Sequence, residues 1–146
     1  MSEVVIRHAA LDDAPALAEL SGELGYPATP DEMRQRLPAL LGATATVFVA
    51  EAEGRVVGWI GVNLEPALTH APSAIINGLV VAADRRGSRV GAQLLAAAEA
   101  WAAAAGVDDI RVRSNVSRER AHRFYLREGY VERKRQAVFG KLLRRT

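Results

Sequence analysis

Apolar residues along the chain recur with a spacing of about two residues in some segments and about 3.6 residues in others. The first spacing is typical of β-strands and the second of amphipathic helices. Strands are predicted over seven segments: Val4–His8, Ala45–Ala52, Val56–Leu64, Ser73–Ala82, Ile110–Ser114, Tyr130–Arg135 and Ala137–Leu143. Helices are predicted over four segments: Asp12–Leu24, Thr29–Leu41, Arg89–Ala105 and Ser117–Glu128. This order, β-α-α-β-β-β-α-β-α-β-β, predicts a mixed α/β fold with about seven strands and helices on both faces of the sheet.

Local signals mark where several of these elements begin and bend. Residues Thr29–Glu32 have the form of a capping box with proline at the first helical position. Asp12 is the predicted N-cap of the preceding helix. Pro38 is expected to bend the second helix because proline lacks a backbone N–H and its ring clashes with the preceding turn. A tight turn at Glu53-Gly54 is expected to join two strands as a hairpin.

Length and composition indicate one domain, residues 1–146, that buries its own core. The chain has no cysteine, which excludes a disulfide framework and a thiolate nucleophile. Its three histidines are far apart in sequence, so no metal site is expected. No segment approaches the roughly 20 apolar residues that span a bilayer, and the N-terminus lacks the apolar region of a signal peptide. The sequence therefore predicts a soluble, cytoplasmic protein.

The charge of the chain is unevenly distributed, although the formal net charge is only +2. Residues 1–84 carry 11 acidic and four basic side chains, and residues 85–146 carry six acidic and 15 basic ones. Most of the basic side chains are arginines, which bind phosphate through two parallel hydrogen bonds. The C-terminal half is therefore predicted to meet a polyanion. The alternative is a solvated, arginine-rich surface.

The candidate chemistry lies where the fourth predicted strand runs into the third predicted helix. The loop between them contains Gly87 and leads to Gly91. Backbone N–H groups in such a loop, together with the positive end of the helix dipole, form an anion site. Arg85, Arg86 and Arg89 oppose that dipole, so a bound anion explains them better than a bare helix start does. The loop matches neither a P-loop nor a dinucleotide fingerprint.

Two segments carry a family resemblance. Leu79–Leu95 resembles the acyl-CoA-binding motif of the GNAT superfamily of N-acetyltransferases, Q/R-x-x-G-x-G/A, in which Arg86 and Gly91 match the first and last positions. Arg89 stands where glycine is usual, so it either costs a close backbone contact or places its side chain on a phosphate. Asn115–Tyr130 resembles the later motif of the same family, with its F-Y pair and G-[FY] ending. The element order agrees as well, so the resemblance covers nearly the whole chain and implies a mostly antiparallel mixed sheet.

The resemblance implies that acetyl-CoA is the cosubstrate and that an amine attacks its thioester directly in a ternary complex. In the family, the strand at Leu79–Val81 splays from the strand at Ile110–Ser114, and its unpaired backbone groups bind the pantetheine arm. The pyrophosphate then lies on the loop that follows. The expected cofactor-binding residues are Leu79, Val80, Val81, Arg86, Gly87, Ser88, Arg89, Val90, Gly91 and Asn115.

Tyr125 resembles the tyrosine with which the family protonates the departing thiolate. A phenol has a reference pKa near 10, so it can donate a proton or a hydrogen bond to sulfur. The alternative role is core packing, because Ala121 and Tyr125 are four residues apart on one helical face. Asn115 also has two interpretations: its amide binds the pantetheine arm, or it caps the helix predicted from Ser117.

The general base is the open question. Many relatives carry a glutamate where this chain has Asn77. Asparagine cannot accept the proton, but it can orient a water molecule; Glu65 and Glu23 are the alternative carboxylates. The acidic N-terminal half is expected to attract a cationic amine as acceptor, of polyamine, aminoglycoside, amino-acid or peptide type.

Two other functions compete with the enzyme, and one assembly is expected. A non-catalytic acyl-CoA sensor would keep the cofactor site without a base. A nucleic-acid-binding module would use the arginines, but the sequence has no aromatic interleaving or helix-turn-helix signature, so no nucleic acid is expected. Val138, Phe139 and Leu142 would lie on an exposed edge of the last predicted strand, which predicts a homodimer.

Overall fold

The computed structural model describes residues 3–114 and 118–144. Its strands form one sheet, in which the chain order is also the spatial order. The strands are β1 (Val5–His8), β2 (Ala45–Ala52), β3 (Arg55–Glu65), β4 (Ser73–Val81) and β5 (Ile110–Val112). Neighbouring strands are antiparallel except β4 and β5, which are parallel. The mixed, mostly antiparallel sheet is therefore confirmed for the first five predicted strands.

The prediction of about seven strands is wrong. Among the described residues of 130–144, which include the predicted strands Tyr130–Arg135 and Ala137–Leu143, none is in a strand. An alternating pattern says which side chains would share a face, whereas a strand also needs a neighbouring strand to pair its backbone groups. That neighbour is not encoded in the local pattern.

Four helices accompany the sheet: α1 (Ala14–Glu23), α2 (Pro30–Arg36), α3 (Val90–Ala104) and α4 (Glu119–Arg127). The capping box of α2 is confirmed, because the Thr29 hydroxyl accepts from the Glu32 N–H at 3.1 Å and the Glu32 carboxylate accepts from the Thr29 N–H at 2.8 Å. Pro38 acts as expected, since α2 ends at Arg36 and a 3₁₀ turn follows over Leu37–Leu40.

The first helix begins differently from the prediction. The N-cap residue is Asp13 rather than Asp12, and a 3₁₀ turn over Leu11–Asp13 precedes the helix. The Asp13 carboxylate accepts from the Ala10 N–H at 2.7 Å and from both terminal nitrogens of Arg7 at 2.9 Å. Asp13 is buried, and its carboxylate is occupied by these hydrogen bonds and makes none to the N–H groups at the start of α1.

Apolar side chains fill both faces of the sheet. On one face, residues of α1 and the strands form a cluster with partly buried residues of α2 and its following turn; its buried members are Ala9, Ala14, Leu17, Leu37, Val47 and Val49. On the other face, α3 packs so closely on β3 that a Cβ at Gly58 would lie 3.0 Å from the Leu94 side chain. A Cβ at Gly58 would also lie 3.0 Å from the Val80 carbonyl oxygen, so any larger residue there requires its neighbours on α3 and β4 to shift by a few tenths of an ångström.

The chain divides into two compact units after Arg113. The first unit contains the whole sheet with α1, α2 and α3, and the second contains α4 and the segment that follows it. Within residues 3–114 and 118–144, no helix has both the length and the apolar composition needed to cross a bilayer.

Candidate active site

The first feature of the site is a gap that opens between two strands. β4 pairs with β5 only over Ala74–Ile76, opposite Ile110–Val112. Beyond this point β4 continues to Val81 and pairs with β3. Since each strand residue offers backbone groups alternately to its two sides, the part of β4 from Gly78 to Val81 has an edge outside the β4–β5 ladder. β5 ends at Val112, so this part of β4 lies beyond the ladder, in the region where the resemblance implies that the two strands splay apart.

A β-bulge at Asn77 marks the point where the gap begins. The register between β3 and β4 shifts between Gly61 and Val62, so Asn77 has no opposite residue. Its side-chain amide folds over Gly61, where a Cβ would collide with the Asn77 oxygen. The Asn77 Nδ2 donates to the Asn63 Oδ1 at 3.0 Å. Bulges re-aim a side chain locally, and here the bulge presents the exposed Asn77 amide beside the half-buried amide of Asn63.

The second feature is the loop between β4 and α3. After a 3₁₀ turn over Ala83–Arg85, Gly87 and Arg89 both have positive φ, of 83° and 69°. The Ser88 hydroxyl donates to the Arg85 carbonyl and closes the turn. Arg86, Gly87, Ser88 and Arg89 are exposed, and α3 begins at Val90. The left-handed conformation of Arg89 gives a physical reason why glycine suits this position of the motif.

Three polar contacts hold the start of this loop, and we call them together the loop clamp. The Arg55 guanidinium donates to both oxygens of Asp84, at 3.0 and 2.9 Å. The Glu23 carboxylate accepts from the Ala83 N–H at 3.4 Å, and Arg85 lies 3.8 Å from the carboxylate of Glu53. The clamp therefore joins α1, the β2–β3 turn and β3 to the first residues of the loop.

Two candidate carboxylates lie in different parts of the first unit. Glu65 is at the end of β3 and lies 3.4 Å from the Arg113 guanidinium. Glu23 belongs to the loop clamp and lines a cleft of about 460 Å³, together with Glu19, Glu51 and Arg55 among others. Arg55 and Gly61, the residue opposite the bulge, are six residues apart on β3, which corresponds to roughly 20 Å. Glu65 is therefore the nearer of the two to the Asn77 bulge along the strand.

Tyr125 lies on α4 in the second unit. Its ring centroid is 5.2 Å from that of Phe124 and 5.7 Å from that of Tyr130. Burial raises the pKa of Tyr125 to about 12, because removal from water penalises the charged phenolate. The hydroxyl is consequently neutral at any pH at which the protein would work, and it remains a hydrogen-bond donor.

The family can now be identified. Residues 13–130 match the sequence profile of the Acetyltransferase (GNAT) family. The chain belongs to this family. It is 37% identical over 133 residues to an aminoalkylphosphonate N-acetyltransferase of Salmonella typhimurium, covering 87% of this chain and 84% of the relative. It is 32% identical over 143 residues to an aminoglycoside N(6')-acetyltransferase of Stenotrophomonas maltophilia, covering 94% and 93% of the two chains.

Solved structures show the same fold. An aminoglycoside N-acetyltransferase in complex with CoA matches with a TM-score of 0.86 at 18% identity, covering 97% of this chain and 96% of that one. A glucosamine-6-phosphate N-acetyltransferase of Arabidopsis thaliana matches with a TM-score of 0.79 at 20% identity, covering 97% and 99%. The GNAT protein described here is an acetyl-CoA-dependent N-acetyltransferase.

In this acetyltransferase, most of the predicted site residues lie in one continuous stretch. Asn77 is at the bulge, Leu79–Val81 follow on the splayed part of β4, and Arg86–Gly91 form the loop and the first turn of α3. Tyr125 is on α4 of the second unit, and Asn115 lies outside the described residues. Within residues 3–114 and 118–144, no group of three or more His, Asp or Glu side chains is arranged to hold a metal ion.

Several site residues were not predicted. Asn63, the partner of Asn77, is one of many polar residues at the ends of strands. Arg55 and Asp84 are 29 residues apart and meet only because the hairpin and the loop lie at the same end of the sheet. The sequence contains one usable signal, since Asp84 is the only carboxylate in the arginine-rich segment from 84 to 91. An acidic residue in an anion loop suggests a nearby basic partner.

Proposed function

We propose that this acetyltransferase binds acetyl-CoA along the splayed edge of β4 and in the loop that follows, and that it acetylates a small cationic amine. The observation that carries the proposal is the continuity of the edge and the loop. Gly78–Val81 lead directly into the turn and the loop that opens α3. An extended arm can pair with the edge as an added strand would, while an anion at its end meets the loop.

The residues present fit the phosphates of coenzyme A. A Cβ built at Gly87 meets nothing within 4 Å, so the space beside the loop backbone is open. Backbone N–H groups of the loop and of the first turn of α3, those of Val90 and Gly91 among them, are proposed to bind the pyrophosphate; the Ser88 N–H already donates to the Arg85 carbonyl at 3.3 Å. The exposed Arg86 and Arg89 side chains add positive charge. We propose that the amide of Asn115 binds the arm.

Tyr125 is proposed to act on the departing sulfur by hydrogen bonding. A reference thiol has a pKa of about 8.5, whereas that of Tyr125 is about 12. Complete proton transfer from this phenol to a thiolate would therefore be uphill by about 5 kcal/mol. A hydrogen bond to the developing negative charge avoids that cost, and the sulfur can take its proton from water.

The proton of the amine is proposed to leave through water held by Asn77. The exposed Asn77 amide and the half-buried Asn63 amide can orient a water molecule, and Glu65 lies two residues beyond Asn63 on the same strand. Residues two apart on a strand share a face, so Glu65 is the carboxylate best placed to receive the proton. Glu23 is the less suitable candidate because it belongs to the loop clamp at the other end of β3.

The acceptor is proposed to be a small molecule with a primary amine. The two relatives named above act on aminoalkylphosphonates and on aminoglycosides. The Glu65–Arg113 pair offers one group of each sign near the bulge. An ammonium could therefore be held by Glu65, and a phosphonate by Arg113. A polycationic aminoglycoside would gain binding affinity from the negative charge of Glu65, whereas the positive charge of Arg113 would not contribute.

Turnover and binding measurements test the proposal together. Thiol release from acetyl-CoA is measured with an aminoalkylphosphonate, an aminoglycoside bearing a 6'-amine, and a linear polyamine. Release with at least one acceptor is expected, and release with none of a broad amine library would favour the acyl-CoA sensor. Calorimetry with acetyl-CoA should show binding that Gly91→Glu abolishes, because the substitution adds bulk and negative charge to the loop. Unchanged affinity in folded Gly91→Glu would contradict the placement of the phosphates.

The relatives also allow the two acceptor classes to be distinguished. Arg113→Gln should raise the KM for an aminoalkylphosphonate while leaving the KM for an aminoglycoside near the wild-type value. A KM that rises equally for both would mean that Arg113 does not recognise an anionic group. DNA and RNA are the control ligands, and tight binding that weakens by several orders of magnitude with moderate salt would support the nucleic-acid function instead.

A further inference from the structure

Asp84 is an unexpected residue in a loop that is proposed to hold phosphates. It is the only carboxylate in the segment from 84 to 91, which also contains Arg85, Arg86 and Arg89. An unpaired carboxylate there would repel an anionic ligand at short range and would offset part of the field of the arginines. The loop therefore needs a way to offset the charge of Asp84.

Arg55, the first residue of β3, provides the positive charge that offsets the carboxylate of Asp84. Its two terminal nitrogens donate to the two Asp84 oxygens at 3.0 and 2.9 Å, the parallel geometry that favours arginine over lysine. The Arg55 guanidinium lowers the pKa of the Asp84 carboxyl, mainly through these hydrogen bonds. Both side chains are more than half exposed. Exposed ion pairs stabilise a fold little, so a role in folding does not explain this one well.

The pair also restrains the backbone at the start of the loop. With the Glu23 and Glu53 contacts of the loop clamp, three consecutive residues from Ala83 to Arg85 are attached to other elements. The residues after them, Arg86–Arg89, are exposed and include two positive-φ positions. The clamp thus fixes the base of the loop from which the proposed phosphate ligands extend.

We propose that Arg55 is a positioning residue for coenzyme A. By pairing with Asp84 it orders the base of the loop and removes the charge of that carboxylate from the path of the phosphates. This inference rests on the proposed binding of the phosphates in the loop. Arg55 itself touches no reacting atom, so its effect should appear in cosubstrate affinity and KM rather than in kcat.

The test is a double-mutant cycle read by calorimetry with CoA. Arg55→Gln should weaken binding at least five-fold in the wild-type background and less than two-fold in the Asp84→Asn background. Asp84→Asn alone should weaken CoA binding less than Arg55→Gln does, because it loses the contact that orders the loop but leaves no unpaired carboxylate beside the phosphates. In steady-state assays, Arg55→Gln should raise the KM for acetyl-CoA with kcat within two-fold of wild type. A matched control is Arg34→Gln, which breaks the exposed Arg34–Asp31 pair on α2 and should change neither quantity.

The outcomes separate this inference from the proposed function. If Gly91→Glu abolishes CoA binding but folded Arg55→Gln binds within two-fold of wild type, the inference is overturned and the site stands. If Arg55→Gln weakens binding equally in both backgrounds, the effect of Arg55 does not pass through Asp84, and the inference is again overturned. Retained binding in folded Gly91→Glu would reject the phosphate site itself. High salt screens charges, so the ratio between the CoA affinities of wild type and Arg55→Gln should become smaller as salt is added. If salt weakens binding of both proteins by the same factor, that ratio is unchanged, and this result would contradict a charge effect.

Discussion

The hydroxyl of Tyr125 is held neutral because burial raises its pKa to about 12. Tyr125→Phe removes this donor and keeps the ring that packs against Phe124 and Tyr130. We expect kcat to fall roughly 100- to 1000-fold, the effect of losing one hydrogen-bond donor to a developing negative charge, with little change in acetyl-CoA affinity or in the free energy of unfolding. Tyr130→Phe is the matched control and should retain wild-type turnover. A core-packing role for Tyr125 would instead leave the rate per folded molecule unchanged.

The pH profile of kcat/KM provides a separate test of the same residue. A phenol with a pKa of about 12 keeps its proton throughout the range from pH 6 to 10. The rate should therefore rise with pH as the acceptor amine loses its proton, with no decline below pH 10 that depends on Tyr125. A descending limb near pH 9 to 10 that disappears in Tyr125→Phe would show that the phenol ionises at its ordinary pKa.

Asp13 gives a prediction about stability. Hydrogen bonds from Arg7 lower the pKa of the buried Asp13 carboxyl below its ordinary 3.8. The stabilisation is therefore fully present at neutral pH and is lost as the pH falls below 3.8 through the folded-state pKa. Asp13→Asn should lower the free energy of unfolding by about 1–3 kcal/mol at pH 7, and by less at pH 3, which is below the ordinary pKa of the carboxyl. Urea titrations at both pH values measure this difference.

The control for Asp13 is a carboxylate with an equally short ion pair but high exposure. Asp31 lies 2.7 Å from Arg34 and is almost fully exposed. Asp31→Asn should change the free energy of unfolding by less than about 1 kcal/mol at either pH. Equal effects of the two substitutions would mean that burial does not strengthen the Arg7–Asp13 interaction.

At the scale of elements, the sequence predicted what depends on neighbours along the chain. The limits of β2 agree residue for residue, and the Thr29 capping box lies where its motif indicated. Both features need only local periodicity or local hydrogen bonds. The N-cap of α1 is Asp13 rather than Asp12 because a 3₁₀ turn over Leu11–Asp13 precedes the helix, and the partner of Asp84 is 29 residues distant. Such contacts depend on how the elements pack, which local patterns do not contain.

In the site, too, features formed by consecutive residues were predicted, and features formed by residues distant in sequence were not. The resemblance located the β4 strand, the loop and the start of α3, because these are consecutive in the chain. It left two interpretations of Arg89 open, a lost backbone contact or a side chain on a phosphate, and the left-handed φ of 69° at this residue could be found only from the structure. The Asn63–Asn77 pair depends on a bulge whose position is set by the pairing of β3 with β4. The roles proposed for Asn77 and Tyr125 remain predictions.

The loop conformation predicts the result of Arg89→Gly. Glycine adopts the left-handed conformation without strain, which stabilises the folded variant. Glycine also gives the unfolded chain more conformational freedom, which offsets part of this gain. We therefore expect the free energy of unfolding to rise by between 0 and about 1 kcal/mol. Acetyl-CoA affinity should nevertheless fall about three- to ten-fold, because an exposed guanidinium is lost from the loop. Arg89→Lys keeps the charge and should bind nearly as wild type. Unchanged or tighter binding by folded Arg89→Gly would mean that the side chain is only tolerated.

At the scale of the whole molecule, the C-terminal segment 131–144 is the largest departure from expectation. Val138, Phe139 and Leu142 are 91%, 93% and 92% exposed, and none of the described residues of this segment is in a strand. Large apolar side chains concentrated in one exposed segment mark an interaction site.

We therefore propose that a second copy of the chain covers segment 131–144, which makes the protein a homodimer. Light scattering at micromolar concentration should give a mass near twice 15.7 kDa. Phe139→Lys should shift the mass towards the monomer, because burying a charge in an apolar contact is costly. Leu68→Lys is the matched control, since Leu68 is fully exposed outside the segment and should leave the dimer intact. A monomeric mass for the wild-type protein would refute the homodimer, and equal dissociation by both variants would assign the interface elsewhere.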